Sequence, residues 1–133
     1  RGGPRPAGFS VNINNITMPC QKPPWSHLTA VDTTTGDIAW RIPLGITEGL
    51  SARRQNTGRP GRAAALVTAN NLLFIASTDD NRLRALRATS GDILWEQVLE
   101  RRGNANPMTY MGNDDKQYVV IAASDKLVAY SLP

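Results

Sequence analysis

Apolar and polar residues alternate along this chain in short runs, with a period near two. Phe9, Val11 and Ile13 alternate with polar neighbours, and residues 28–32 and 37–42 form two further extended runs. Residues 63–69 and 72–77 are apolar and are separated by Asn70-Asn71, a pair that tolerates a tight hairpin turn. Runs at 82–87 and 92–98 follow, then 107–111, 117–123 and 127–132. No segment carries the three-to-four spacing of an amphipathic helix, so the pattern predicts strands throughout and no helix of three turns.

Part of the pattern occurs twice. Residues 28–40 read LTAVDTTTGDIAW and residues 83–95 read LRALRATSGDILW, with Leu, Ala, Thr, Gly, Asp, Ile and Trp identical at a constant spacing. A weaker third copy begins at Leu127-Val128-Ala129. Self-similarity of this length signals stacked supersecondary units, and a four-stranded antiparallel meander of about 50 residues is a propeller blade. The expected fold class is all-β, a partial β-propeller. Residues 9–45 are expected as an incomplete blade and 46–62 as a basic Gly/Pro loop. Residues 63–99 are expected as a complete blade and 106–133 as another incomplete one. Each copy reads as strand, turn, strand, with Gly36 or Gly91 in the turn. Trp40 and Trp95 are expected to wedge between their own blade's glycine and a neighbour's alanine, Ala30 or Ala85, and so pin adjacent blades together.

Composition narrows the classes. The chain has 133 residues, enough for one ordinary domain with a modest core. It lacks the run of about 18 apolar residues that a membrane-spanning helix needs. Cys20 is the single cysteine, which precludes an internal disulfide, and His27 is the single histidine, so no transition-metal site or thiol nucleophile is expected. The glycines sit in turns rather than in a phosphate-binding loop. A net charge of +4 raises a nucleic-acid reading. Yet Arg53, Arg54, Arg59 and Arg62 carry no interleaved aromatics, and the opening RGGPRP is too short for an arginine-glycine repeat. No nucleic-acid partner is expected. The start at Arg1 rather than Met suits removal of an upstream region.

The pattern Ala-x-Asp-x-x-Thr-Gly-x-x-x-Trp, intact from Ala30 to Trp40, resembles the tryptophan-docking motif of pyrroloquinoline-quinone (PQQ) dehydrogenases of the glucose-dehydrogenase type. The likeness continues through PCQKPPW at 19–25, LFIA at 73–76, LRA at 83–85, NPMTY at 106–110, KQYVVI at 116–121 and VAYSLP at 128–133. The resemblance implies the final part of a larger eight-bladed propeller. PQQ lies on the axis with Ca²⁺ beside it, a sugar or alcohol is oxidised, and electrons pass to ubiquinone or a cytochrome. It also implies a bacterial, exported, periplasmic enzyme. The metal ligands and the catalytic aspartate belong to earlier blades, so no catalytic or metal-binding residue is assigned here. The chain alone is expected to bind neither PQQ nor Ca²⁺ and to be inactive in isolation. Its partners would be the remaining blades or another copy of the chain. The second copy departs from the pattern at Arg87 and Ser90. A Gly-Gly-His or Gly-Gly-Trp loop of many relatives is absent, because Ala122-Ala123 runs directly into Ser124-Asp125-Lys126. That departure leaves open a second reading, a non-catalytic propeller-like binding or scaffold module.

Strand alternation would place residues 17–27, 77–81 and 124–126 as turns on one face, and the resemblance makes that the cofactor face. Thr78 and Asp80 match a Thr-x-Asp of relatives, and Asp80 is the leading polar contact; Asp79-Asp80-Asn81 also reads as an Asx turn. Lys22 and Trp25 occupy a proline-stiffened loop on the same face. They would pair with a quinone carboxylate and wall a planar ring, or else simply pack that loop. Open sheet edges near 9–16 and 127–132 would make the isolated chain oligomeric or aggregation-prone, or close it through pairing of its first strand with the last blade.

Overall fold

The computed structural model describes residues 9–131. Expectations on the opening arginine-glycine stretch and on the last two residues of the final motif lie outside that range. Among the described residues, eleven strands form four antiparallel sheets, with one short 3-10 turn at Ala52–Arg54. Strands β1 (Ser10–Ile13) and β2 (Ile16–Pro19) make a hairpin, and β3 (His27–Val31) pairs with β4 (Ile38–Pro43). Strands β5 (Leu66–Val67), β6 (Leu72–Ile75), β7 (Arg82–Arg87) and β8 (Ile93–Val98) form one meander in chain order. Strands β9 (Met108–Met111), β10 (Gln117–Ala123) and β11 (Lys126–Ser131) form the fourth sheet, with β10 central. The four-stranded antiparallel meander is the unit from which propellers are built.

The core lies between sheets rather than within one. On one face of the β5–β8 sheet, Leu73, Ile75 and Leu86 pack with Leu44 and meet Leu28, Trp40 and Ile42 of the β3–β4 region. On the other, Ala76 and Leu83 meet Ile121 and Ala123, and Phe74 with Ala85 meets Val119. Covered on both faces, β6 and β7 lose the in–out alternation of a half-exposed strand, so Leu83 and Leu86 are completely buried.

Three expectations are corrected. Trp40 does not lie over the glycine of its own turn. It stacks on Gly91 of the following copy, where an added Cβ would come within 2.8 Å of its Cε3, and its indole N–H donates to the Ala88 carbonyl at 2.9 Å. Its own Gly36 has no atom within 4 Å of the same position. Alanine is instead the within-sheet neighbour, since Ala30 pairs with Trp40 and Ala85 with Trp95. Each tryptophan therefore points out of its sheet towards the next one along the chain, and Trp95 meets Tyr130 edge-on at 5.3 Å.

Residues 17–19, read as part of a turn, belong to β2. The turn is Asn14-Asn15, both at positive φ, which closes a two-residue hairpin between Ile13 and Ile16. Strand β5 is shorter than the 63–69 run because the Ala64 N–H donates to Asn106 Oδ1 at 2.7 Å instead of entering the ladder. Strand β1 pairs with β2 and not with the last sheet, whose outer strand β11 carries Leu127 at 78% exposure.

Candidate functional site

The β6–β7 connection, residues 76–81, is laced to the end of the 44–62 segment. Gly61 bridges Thr78, the Arg62 N–H donates to the Ser77 carbonyl at 3.1 Å, and the Asp79 N–H donates to the Pro60 carbonyl at 3.0 Å. A Cβ at Gly61 would lie 2.7 Å from Ser77 Oγ, so the close approach requires glycine.

Asp80 sits at the centre of this connection, its side chain only 2% exposed. Its Oδ1 accepts from the Thr78 hydroxyl at 2.6 Å and from Arg84 Nη1 at 3.3 Å. Its Oδ2 accepts from the Ile46 N–H at 2.9 Å and from Arg84 Nη2. Burial alone would raise the carboxyl's pKa. The Arg84 hydrogen bonds and charge, the Thr78 hydroxyl and the Ile46 N–H outweigh it and hold Asp80 below the ordinary carboxylate value. Two oxygens offer about four lone-pair directions, and all are taken. Asp80 is therefore a fixed anion, with no Asx-type bond to its own turn among its contacts. It has no vacant acceptor position with which to take a proton.

Arg84 is the largest fully buried side chain among the described residues. Besides Asp80 it donates to the Thr78 hydroxyl at 3.0 Å and, through Nε, to Glu96 Oε2 at 2.8 Å. Arg82 donates to the other oxygen of Glu96 at 2.8 Å and to Glu48 Oε1 at 2.6 Å. Nearby, Arg59 forms a two-pronged pair with Asp79 at 2.6 and 2.8 Å.

Of these groups, Glu48, Arg59, Asp79 and Asp80 border a cleft of about 700 Å³ between the β1–β2 hairpin and the 76–81 connection, within the size range of small-molecule sites. Ile16, Ile46, Arg59, Asp80, Asn81 and Arg102 are among its walls. Asn81 is held in the left-handed region at φ 57°, and its Oδ1 is the one buried side-chain polar atom without a partner among the described residues.

The four predicted residues separate. Thr78 and Asp80 are bonded to one another. Lys22 and Trp25 are not among the cleft's walls: Lys22 is exposed, and Trp25 donates its indole N–H to the Gln21 carbonyl at 2.8 Å and its backbone N–H to the Thr57 carbonyl at 2.7 Å. The β10–β11 connection is a two-residue turn at Ser124-Asp125, with Ser124 at φ 61°. Sequence reasoning missed Arg84, Arg82 and Glu96. The available signal was a charge within the apolar run Leu83-Arg84-Ala85-Leu86, four residues after Asp80.

Residues 2–119 match the family described as PQQ: glucose/ethanol/alcohol dehydrogenase, β-propeller domain. The chain belongs to this family. It is 37% identical to quinoprotein glucose dehydrogenase A of Acinetobacter calcoaceticus over 99% of the chain and 18% of that protein. It is 38% identical to the glycerol dehydrogenase large subunit of Gluconobacter oxydans over 87% of the chain and 18% of that protein. A europium-containing methanol dehydrogenase superposes with a TM-score of 0.56 at 28% identity, covering 71% of this chain and 14% of the other. The chain thus spans about a fifth of the length of the curated relatives it matches.

The family's cofactor is an anionic quinone, and the cleft has the means to meet one. The Arg102 guanidinium on the wall has no acidic partner among the described residues. For the divalent cation the fit fails, because no group of three or more His, Cys, Asp or Glu is disposed to hold a metal ion among the described residues. Asp80's oxygens are already committed.

Proposed function

We propose that this chain is part of a periplasmic quinoprotein dehydrogenase that oxidises a sugar or alcohol and passes electrons to a quinone or cytochrome. The cleft beside Asp80 lies on the cofactor's side of the propeller. Bound PQQ supplies the electron-accepting quinone that no side chain here can supply. This chain's residues supply a wall. Asp80, held by Thr78 and Arg84, is a fixed part of that wall and bonds the Ile46 N–H. Arg102 offers to a carboxylate a guanidinium that has no acidic partner among the described residues. Lys22 and Trp25 contribute from the connection after β2, outside the cleft. The remaining blades bring the base and the metal ligands, so the 133-residue chain by itself oxidises nothing when PQQ and Ca²⁺ are added.

The observation that carries the reading is the buried, fully hydrogen-bonded Asp80 at the wall of the cleft. In the whole protein, Asp80→Ala lowers turnover per folded molecule, in addition to any loss of stability. Both are measured in the same variant, by steady-state dye reduction and by urea unfolding. Turnover that is unchanged in the folded fraction removes Asp80 from the site. One feature favours the second reading, a non-catalytic binding or scaffold module: the two-residue turn at Ser124-Asp125. Sugar- or alcohol-dependent reduction of an electron acceptor by the whole protein rules that reading out.

A further inference from the structure

The charged groups around Asp80 close into a ring. The Ile46 N–H donates to Asp80, which pairs with Arg84; Arg84 and Arg82 share the two oxygens of Glu96; and Arg82 reaches Glu48, two residues on from Ile46. Ile46, Glu48 and Asp80 all line the cleft. We infer that Arg84 is a positioning residue whose task is to clamp residues 46–48 as one wall of that cleft. The consequence for turnover rests on the function proposed above; the clamp itself does not.

Two observations carry this. First, the ring is not something the strands need. Strands β3–β4 repeat the register of β7–β8 residue for residue, bulge included, yet have Thr29, His27 and Arg41 where Arg84, Arg82 and Glu96 stand. All that survives there is a 3.2 Å contact between Arg41 and His27. Second, the ring is asymmetric. The Arg84–Asp80 half is 2% exposed on both sides, whereas the Glu48 side chain is 66% exposed. Solvent and salt weaken the outer half and leave the inner one. Only a guanidinium spans the site, placing Nη1 and Nη2 on Asp80 while Nε reaches Glu96; an ammonium is a single point charge.

The test is residue-resolved hydrogen exchange on the whole protein, read at the Ile46 amide with the Ile121 amide of β10 as control. Arg84→Lys is expected to accelerate exchange at Ile46 by about tenfold or more, the loss of a charge-assisted bond, with Ile121 unchanged. Glu96→Gln loosens Arg84 without emptying the Asp80 pocket and serves if Arg84→Lys does not fold; its effect at Ile46 is smaller, in the same direction. Arg82→Gln is expected to act weakly, and less so at high salt. Unchanged Ile46 protection in a folded Arg84→Lys or Glu96→Gln protein overturns the inference. Faster exchange at Ile46 with unaltered KM and kcat upholds the clamp and counts against the proposed function instead.

Discussion

Strands β3–β4 and β7–β8 are built to one plan. Ala30 faces Trp40 and Ala85 faces Trp95, a register shift follows each alanine, and Gly36 and Gly91 turn at φ 82° and 78°. Even the turn hydrogen bonds correspond: the Gly36 N–H to the Asp32 carbonyl and the Gly91 N–H to the Arg87 carbonyl. Their environments differ completely. Val31 is 53% exposed, while its counterpart Leu86 has no exposure, and Thr29 lies at the surface where Arg84 is buried. Strand β7 lies in the sheet that has neighbours on both faces. There water is excluded, so a charged pair is both costly to leave unmade and strong when made. One strand geometry thus serves as plain scaffold in one copy and as the frame of an ionic cluster in the other.

The comparison is broken hardest by emptying the buried cluster. Arg84→Met leaves Asp80 buried without its partner and is expected to cost about 3–5 kcal/mol in urea unfolding. Thr29→Val, at the matching position, should stay within about 0.5 kcal/mol of the parent. Similar costs at both positions would mean that the copies differ less than their burial implies.

The paired glycines sharpen it next. Gly36→Ala meets open space and carries only the strain of a left-handed backbone, about 1–2 kcal/mol. Gly91→Ala adds a Cβ within 2.8 Å of Trp40, an overpacking of about 1–3 kcal/mol more. Thermal unfolding of both variants checks the difference, and equal shifts would contradict the observed stacking of Trp40 on the following copy.

A smaller, pH-dependent effect separates the copies further. The folded-state pKa of Asp80 lies below its ordinary value of 3.8, so its ionised form is favoured by folding. The contribution is full above that value and is lost as pH falls through the depressed one. Asp80→Asn should therefore be less stable at neutral pH and should lose less additional stability between about pH 5 and about pH 2. Parallel acid limbs for parent and variant would show that Asp80 is not held as an anion.

The least effect belongs to the β9–β11 sheet. There Tyr118 donates its hydroxyl to Asp114 at 2.8 Å, a bond that raises the Tyr118 pKa above 10.0. Asp114→Asn should bring tyrosinate formation, followed by ultraviolet absorbance, back towards the ordinary value without altering the β5–β8 sheet.

Much of the fold was legible in the chain. Strands β6 to β11 fall within a few residues of the apolar runs that announced them, because a period-two pattern is a local property. The β1–β2 hairpin was legible too and was missed, since Asn14-Asn15 carries the same turn signal as Asn70-Asn71. The candidate site was legible only in part. Thr78 and Asp80 were reached through the resemblance to a Thr-x-Asp of the family. Nothing local shows that Asp80's acceptors are filled, for one donor comes from Ile46, 34 residues away.

By itself the sequence determined the all-β class, the repeated strand–turn–strand unit and its family, since each depends on residues within a few positions of one another. Only the tertiary structure decided which tryptophan rests on which glycine, which face of β7 is dry, and that Arg84 and Asp80 are sealed together while Lys22 and Trp25 stand apart. The physical reason is that burial belongs to neighbours. A strand's geometry follows from its own backbone, but the cost of its charges follows from what packs against it.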